Sequence, residues 1–118
     1  MAQSAMQTME PAPAIDRGHL ARMTFGDRSL EQEVLQLFDR QSALLLARMR
    51  TGDAPVIGAL AHTLKGSAAG IGAGQVALAA EATEQAAVHA PGDLSATIDR
   101  LAAAVDEARV LIAELLRQ

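Results

Sequence analysis

The sequence predicts an all-α protein, an antiparallel up-down four-helix bundle with a short extra helix at its N-terminal end. Three observations carry this. Half of the 118 residues are apolar but only 2% are aromatic, so the core must be aliphatic, built from Leu, Ile, Val, Met and many Ala. Ala and Leu favour helices, and strand-like runs of β-branched residues are missing. Apolar residues recur at steps of three and four in four long segments, with short Gly-, Pro- or Asp-containing breaks between them.

Residues 1–14 show no clear period and include Pro11 and Pro13. They are expected to be a flexible lead-in to a domain over 15–118. A short helix follows from Ile15 to Phe25, with Asp16 as N-cap and Gly26 as the stop. The second helix is expected from Ser29 to Arg50, with Ser29 and Gln32 at capping-box spacing. Its apolar stripe reads Leu30, Val34, Leu37, Phe38, Leu44, Leu45 and Met49, interrupted at Gln41. Asp53 caps the third helix, about Ala54 to Gly70, and Pro55 is tolerated in its first turn. Ile57, Leu60, Ala61, Leu64, Ala68 and Ile71 form one face of it. The glycines at 70, 72 and 74 allow a tight reversal. A fourth helix spans about Gln75 to Val88, with Val76, Ala79, Ala80, Thr83 and Ala87 inward. Pro91-Gly92-Asp93 breaks the chain, and Asp93 is a natural N-cap. The last helix carries Leu94, Ile98, Leu101, Val105, Ala108, Ile112 and Leu115, alternating steps of four and three that suit lengthwise packing.

Composition excludes several classes of function. The formal net charge of −4 argues against nucleic acid as a partner, because phosphate backbones need clustered Lys and Arg. With no cysteine, disulfides, thiol chemistry and Cys-based zinc sites are ruled out. No apolar run reaches the ~18 residues of a membrane span, and no signal peptide is visible. No two of His19, His62 and His89 have i, i+4 metal spacing. No metal or cofactor is therefore expected on the chain.

The informative stretch is His62-Thr63-Leu64-Lys65-Gly66-Ser67-Ala68-Ala69-Gly70. His62 lies roughly 100° from Ala61 and about 160° from Leu64 on a helical wheel, so it faces outward. Lys65 at i+3 shares its side of the helix. Gly66 at i+4 costs ~1 kcal/mol relative to alanine in mid-helix. That cost makes sense where a side chain would crowd the histidine or a docking partner. Gly58, Ala59, Gly66 and Ala69 surround His62 with small residues, a candidate docking patch. Imidazole offers an unprotonated nitrogen near neutral pH and is a good phosphoryl acceptor. Ser67 more naturally bonds back to its own helix, and His89 near a helix end suits the carbonyls there.

This run resembles the phosphorylation motif of the histidine-containing phosphotransfer (HPt) domain, and the resemblance extends over nearly the whole structured region. The Ile15-Asp16 start, the Gly26-Asp27 break and the helix carrying Phe38 look like the family's elements, and Glu81 matches a common glutamate nineteen residues after His62. The resemblance implies that His62 is the phosphoacceptor, that Lys65 steadies the phosphoryl group and that Gly66 gives room for a receiver domain. Where some members carry a glutamine that bonds the histidine, this chain has Glu84, with Gln85 beside it. A carboxylate there can accept the Nδ1 proton and orient the ring, but it would repel a phosphoryl group brought close.

The expected function is that of a stand-alone phosphorelay carrier. It takes a phosphoryl group from a receiver-domain phosphoaspartate and passes it to another response-regulator receiver. No GK[ST] loop for ATP is present, so the chain is not expected to be an enzyme in its own right. Mg²⁺ would sit on the partner receiver. Partners would be receiver domains and a hybrid histidine kinase, met in the cytoplasm by a monomer through transient complexes. The alanine-rich composition and the resemblance suggest a bacterial source. Alternatives are an unphosphorylated binding or inhibitory module, or the phosphoacceptor module of a larger kinase.

Overall fold

The computed structural model describes residues 12–118. Most of the expected lead-in, residues 1–11, lies outside the described residues. Among those described, the regular structure is helical: α1 (Arg17–Met23), α2 (Arg28–Met49), α3 (Ala54–Ile71), α4 (Gly74–His89), a 3₁₀ turn (Pro91–Asp93) and α5 (Leu94–Leu116).

Aspartates start three of the helices. Asp16 accepts from the His19 N–H at 3.0 Å, Asp27 from Leu30 at 3.1 Å and Asp53 from Val56 at 3.1 Å. Each satisfies an amide that a helix N-terminus leaves without a partner. The second helix therefore begins one residue earlier than expected, with Asp27 rather than Ser29 as its cap. Asp93 stands at the start of α5 but makes no side-chain cap bond. The 3₁₀ turn explains this: Asp93 is already αR, whereas a capping side chain needs an extended backbone.

The end of α3 fixes the position of the N-terminal segment. Gly72 is left-handed at φ +81°. Ala73 N–H reaches back to the Ala68 carbonyl at 2.9 Å, and Gly72 N–H to Ala69 at 3.3 Å, a Schellman closure. The Gly72 carbonyl then accepts from Asp16 N–H at 2.9 Å. This bond ties the start of α1 to the end of α3, beside the fully buried Ile15.

Helix packing follows the apolar faces. The α3–α4 pairing is the most extensive, then α4–α5; α2 meets both α3 and α5, and α1 leans on α3. All seven positions expected to face inward on α5 are buried. Ile57, Ala61, Leu64, Ala68 and Ile71 of α3 are buried, with Leu60 packed at the edge. On α4 the buried set is Val76, Ala80, Thr83 and Ala86, while Ala79 and Ala87 are only half-buried.

Helix α2 departs from its expected stripe. Its buried seam is Leu35, Phe38, Ser42, Leu45 and Met49, stepping 3, 4, 3 and 4. Leu30, Leu37 and Leu44 are seven residues apart and face outward, with Leu37 56% exposed. The expected interruption at Gln41 disappears, because the seam runs through Ser42. Its hydroxyl donates to the Asp39 carbonyl at 3.2 Å, which makes a fully buried serine tolerable.

Gly72 gives a direct test of the α1–α3 tie. A Cβ there would lie 2.9 Å from the Asp16 carbonyl oxygen, on a backbone that L-residues avoid. Gly72→Ala is expected to destabilise the fold by about 1–3 kcal/mol, read by urea denaturation. A midpoint equal to wild type would show that the tie contributes nothing.

Candidate functional site

His62 occupies the outward side of α3, where its side chain is 66% exposed. One residue on the neighbouring helix organises it. Glu84 of α4 places Oε2 2.8 Å from His62 Nδ1 and Oε1 2.7 Å from Lys65 Nζ. One carboxylate thus engages both residues that the sequence singled out on α3. Glu84 is only 24% exposed and Lys65 31%, so both bonds lie partly under the surface.

The chemistry of the acceptor sets the ring's tautomer. An ionised carboxylate only accepts, so the neutral imidazole donates Nδ1–H to Glu84. The lone pair then belongs to Nε2, on the far side of the ring. Lys65 holds the Glu84 carboxyl below the usual carboxylate range by hydrogen bonding. The His62 bond adds to this effect, and partial burial works against it. Lys65 is correspondingly raised above the usual lysine value. Its hydrogen bond to Glu84 is the main cause; burial opposes it, and the charges of Glu84 and Glu81 add to it. Glu84 is therefore ionised throughout the neutral range.

The glycines and alanines around His62 divide by what they do. Gly58 is half-buried, and a Cβ on it would meet the Ala87 Cβ at 3.3 Å, so it serves the α3–α4 contact. Ala59, Gly66 and Ala69 are exposed. A Cβ on Gly66 would meet nothing within 4 Å. Among the described residues no packing requires a glycine at 66, although it weakens the helix.

Two apolar clefts adjoin this face. One, toward the start of α3, is formed by Pro55, Gly58, Ala59 and His62 with Ala87 and Val88 of α4. The other lies between α3 and the α1–α2 corner, where Gly66 and Gly70 meet Met23, Leu30, Val34 and Leu37. Sequence reasoning missed this second surface because it assigned Leu30 and Leu37 to the core. The heptad spacing of Leu30, Leu37 and Leu44, out of phase with Phe38 and Leu45, was the available signal. Ser67 lines the same cleft. Glu81 is exposed one turn before Glu84, and Gln85 is exposed beside it. His19 lies on α1, and His89 ends α4.

The family model described as the Hpt domain matches residues 28–116. The crystal structure of histidine-containing phosphotransfer protein B (HptB) from Pseudomonas aeruginosa PAO1 is similar, with a TM-score of 0.81 and 24% identity. The match covers 92% of this chain and 99% of that one. At that identity the likeness speaks for the fold alone. No curated protein gives a significant match. On the family model, which spans α2 to α5, the chain belongs to the Hpt domain family.

Proposed function

We propose that this chain is a phosphorelay carrier that accepts a phosphoryl group on His62 Nε2 from a receiver-domain phosphoaspartate and passes it to another response-regulator receiver. Hpt domains are phosphotransfer carriers in two-component signalling, and family proteins interact with receiver domains and histidine kinases. One observation carries the assignment to His62: an exposed imidazole whose Nδ1 is bonded to a carboxylate, with Nε2 left as the nucleophile. The incoming step forms a P–N bond at Nε2 as the P–O bond to the receiver aspartate breaks. Mg²⁺ on the receiver, not on this chain, supplies the charge stabilisation for that step.

The same reading gives the surroundings their roles. Lys65 steadies the phosphoryl group and Glu84 orients the ring. Gly66, Ala59 and Ala69 leave room for the receiver. The cleft formed by Met23, Leu30 and Leu37 extends this docking surface, since exposed apolar patches of this kind mark protein contacts. The long helices are read as an antiparallel up-down bundle. The short connections between them support this, as does the contact of α2 with both α3 and α5. The carrier works as a monomer in the cytoplasm, where its receiver partners reside, because a dimer across the His62 face would block transfer.

The test is phosphotransfer from a set of phosphorylated receiver domains to wild type and His62→Gln. An acid-labile, base-stable label on wild type alone is the expected outcome. Wild type that binds a receiver without taking up label would instead be an inhibitory module. Equal labelling of the variant would place the phosphoacceptor elsewhere.

Gly66 separates the needs of folding from those of docking. Gly66→Ala is expected to stabilise the protein by up to ~1 kcal/mol, because it improves helix propensity and meets no neighbour. Gly66→Arg should fold equally well by circular dichroism yet slow transfer from a receiver by about tenfold or more, the effect of losing roughly 1.4 kcal/mol at an interface. Undiminished transfer in the arginine variant would remove Gly66 from the docking surface.

A further inference from the structure

Glu84 brings a full negative charge to a place where a neutral amide could also orient the ring. The geometry shows what the charge adds. Oε1 is 2.7 Å from Lys65 Nζ while Oε2 is 2.8 Å from His62 Nδ1. An amide has a single accepting oxygen, and its NH₂ end cannot accept from an ammonium. The carboxylate therefore occupies Lys65 in a way an amide could not.

Among the described residues that line the clefts beside His62, Lys65 is the one cationic lysine or arginine. Neither apolar cleft beside His62 contains a lysine or arginine, and the cleft that Lys65 itself lines contains no second one. That third cleft adds Glu81 and Asp16. Glu81 is close enough to act on Lys65, and Asp16 is bound to the His19 amide. Among the described residues lining these clefts, the charged groups are Lys65 against Glu84 and Glu81, with Asp16 farther along.

A phosphoryl group on Nε2 introduces a charge of about −2. If Lys65 stays on Glu84, the dianion lacks the lysine as a partner. If Lys65 turns to the dianion, Glu84 keeps the Nδ1–H of the ring, and phosphorylation at Nε2 makes that protonated ring a cation, the form that gives up its phosphoryl group. A carboxylate at 84 holds the phosphorylated ring in that protonated form more firmly than a neutral amide would.

The outgoing step gains from the same carboxylate. There the N–P bond breaks, its electron pair stays on Nε2, and a P–O bond forms to the acceptor aspartate. With a proton already held on Nδ1 by Glu84, neutral imidazole is the leaving group and no proton has to move.

We propose that Glu84 biases His62 toward release, so that the phosphohistidine of this chain is short-lived and held at low standing occupancy. This rests on the carrier reading above and adds a direction to it: Glu84 is a positioning residue whose charge tips the balance toward the next acceptor.

The experiment compares wild type with Glu84→Gln, which keeps an acceptor for Nδ1–H and removes the charge. Both are loaded with phosphoramidate, a small N–P donor, and freed of it. The half-life of the label is followed alone, and its distribution is followed against a receiver domain. The glutamine variant should hold label roughly three- to fivefold longer and at higher occupancy, the scale of one partly exposed charge contact. Lys65→Met should shorten the half-life, and the double variant should recover part of it. ¹⁵N NMR of the unloaded proteins gives an independent readout: His62 should be the Nδ1–H tautomer in both wild type and Glu84→Gln.

Equal or shorter retention in Glu84→Gln, with the tautomer preserved, would overturn the proposal and leave the carrier reading standing. No label on wild type from either phosphoramidate or a phosphorylated receiver would overturn both.

Discussion

The close pairing of α3 with α4 is the constraint on which the site depends. Small residues accompany it: Gly58 stands directly against Ala87, and Ala61 and Ala68 on α3 and Ala80 and Ala86 on α4 are buried. A glutamate side chain is short, and Glu84 must cross from one helix to two residues on the other. It does so with both carboxylate oxygens within 2.8 Å of their partners. A larger residue at 58 would push the helices apart beside that crossing. The alanine-rich composition, which at first reads only as helix propensity, thus also sets the reach of the Glu84 carboxylate.

The glycines of α3 show how conformational need and surface need can be told apart. Gly72 is left-handed, and any side chain would strike the Asp16 backbone, so the fold itself demands it. Gly66 is ordinary helix, exposed, with open space where a side chain would stand. A residue that weakens its helix and serves no contact among the described residues points outside them. Position 66 lies one turn from His62 and on the edge of the cleft that Leu30 and Leu37 form. The residue next to the histidine and the misread face of α2 therefore belong to one surface.

Much of this was legible in the residues. The α5 seam appeared complete because each of its apolar positions has one use, burial against the bundle. The α3 face and the outward histidine followed from the same arithmetic. Helix α2 did not, because it carries two apolar rows in different phase. One is buried and includes a serine; the other is exposed and all leucine. Apolar periodicity reports that a face avoids water, not whether its partner is the same chain or another. The link from Glu84 to Lys65 was also out of reach. The rotation of α4 about its axis, relative to α3, decides whether residue 81, 84 or 85 meets the histidine, and spacing along one helix does not contain it.

The turn between α1 and α2 extends the argument from that second row. Phe25 is one of two phenylalanines in the chain. The other, Phe38, is buried in the α2 seam, while Phe25 is 89% exposed and sits at φ +57°. A bulky residue in the left-handed region costs on the order of 1 kcal/mol or more. The Schellman closure from Gly26 N–H to the Ala21 carbonyl at 2.9 Å holds it there. Glycine would take the same conformation without strain. Phe25 follows Met23, which lines the α2-side cleft with Leu30 and Leu37. Strain and an exposed aromatic ring coincide at the corner of an apolar surface that leads to His62. On the carrier reading, this corner gives the receiver a hydrophobic grip away from the histidine. On that reading docking there would engage α1 and α2 rather than α4, the helix that carries Glu84 and its contact with His62.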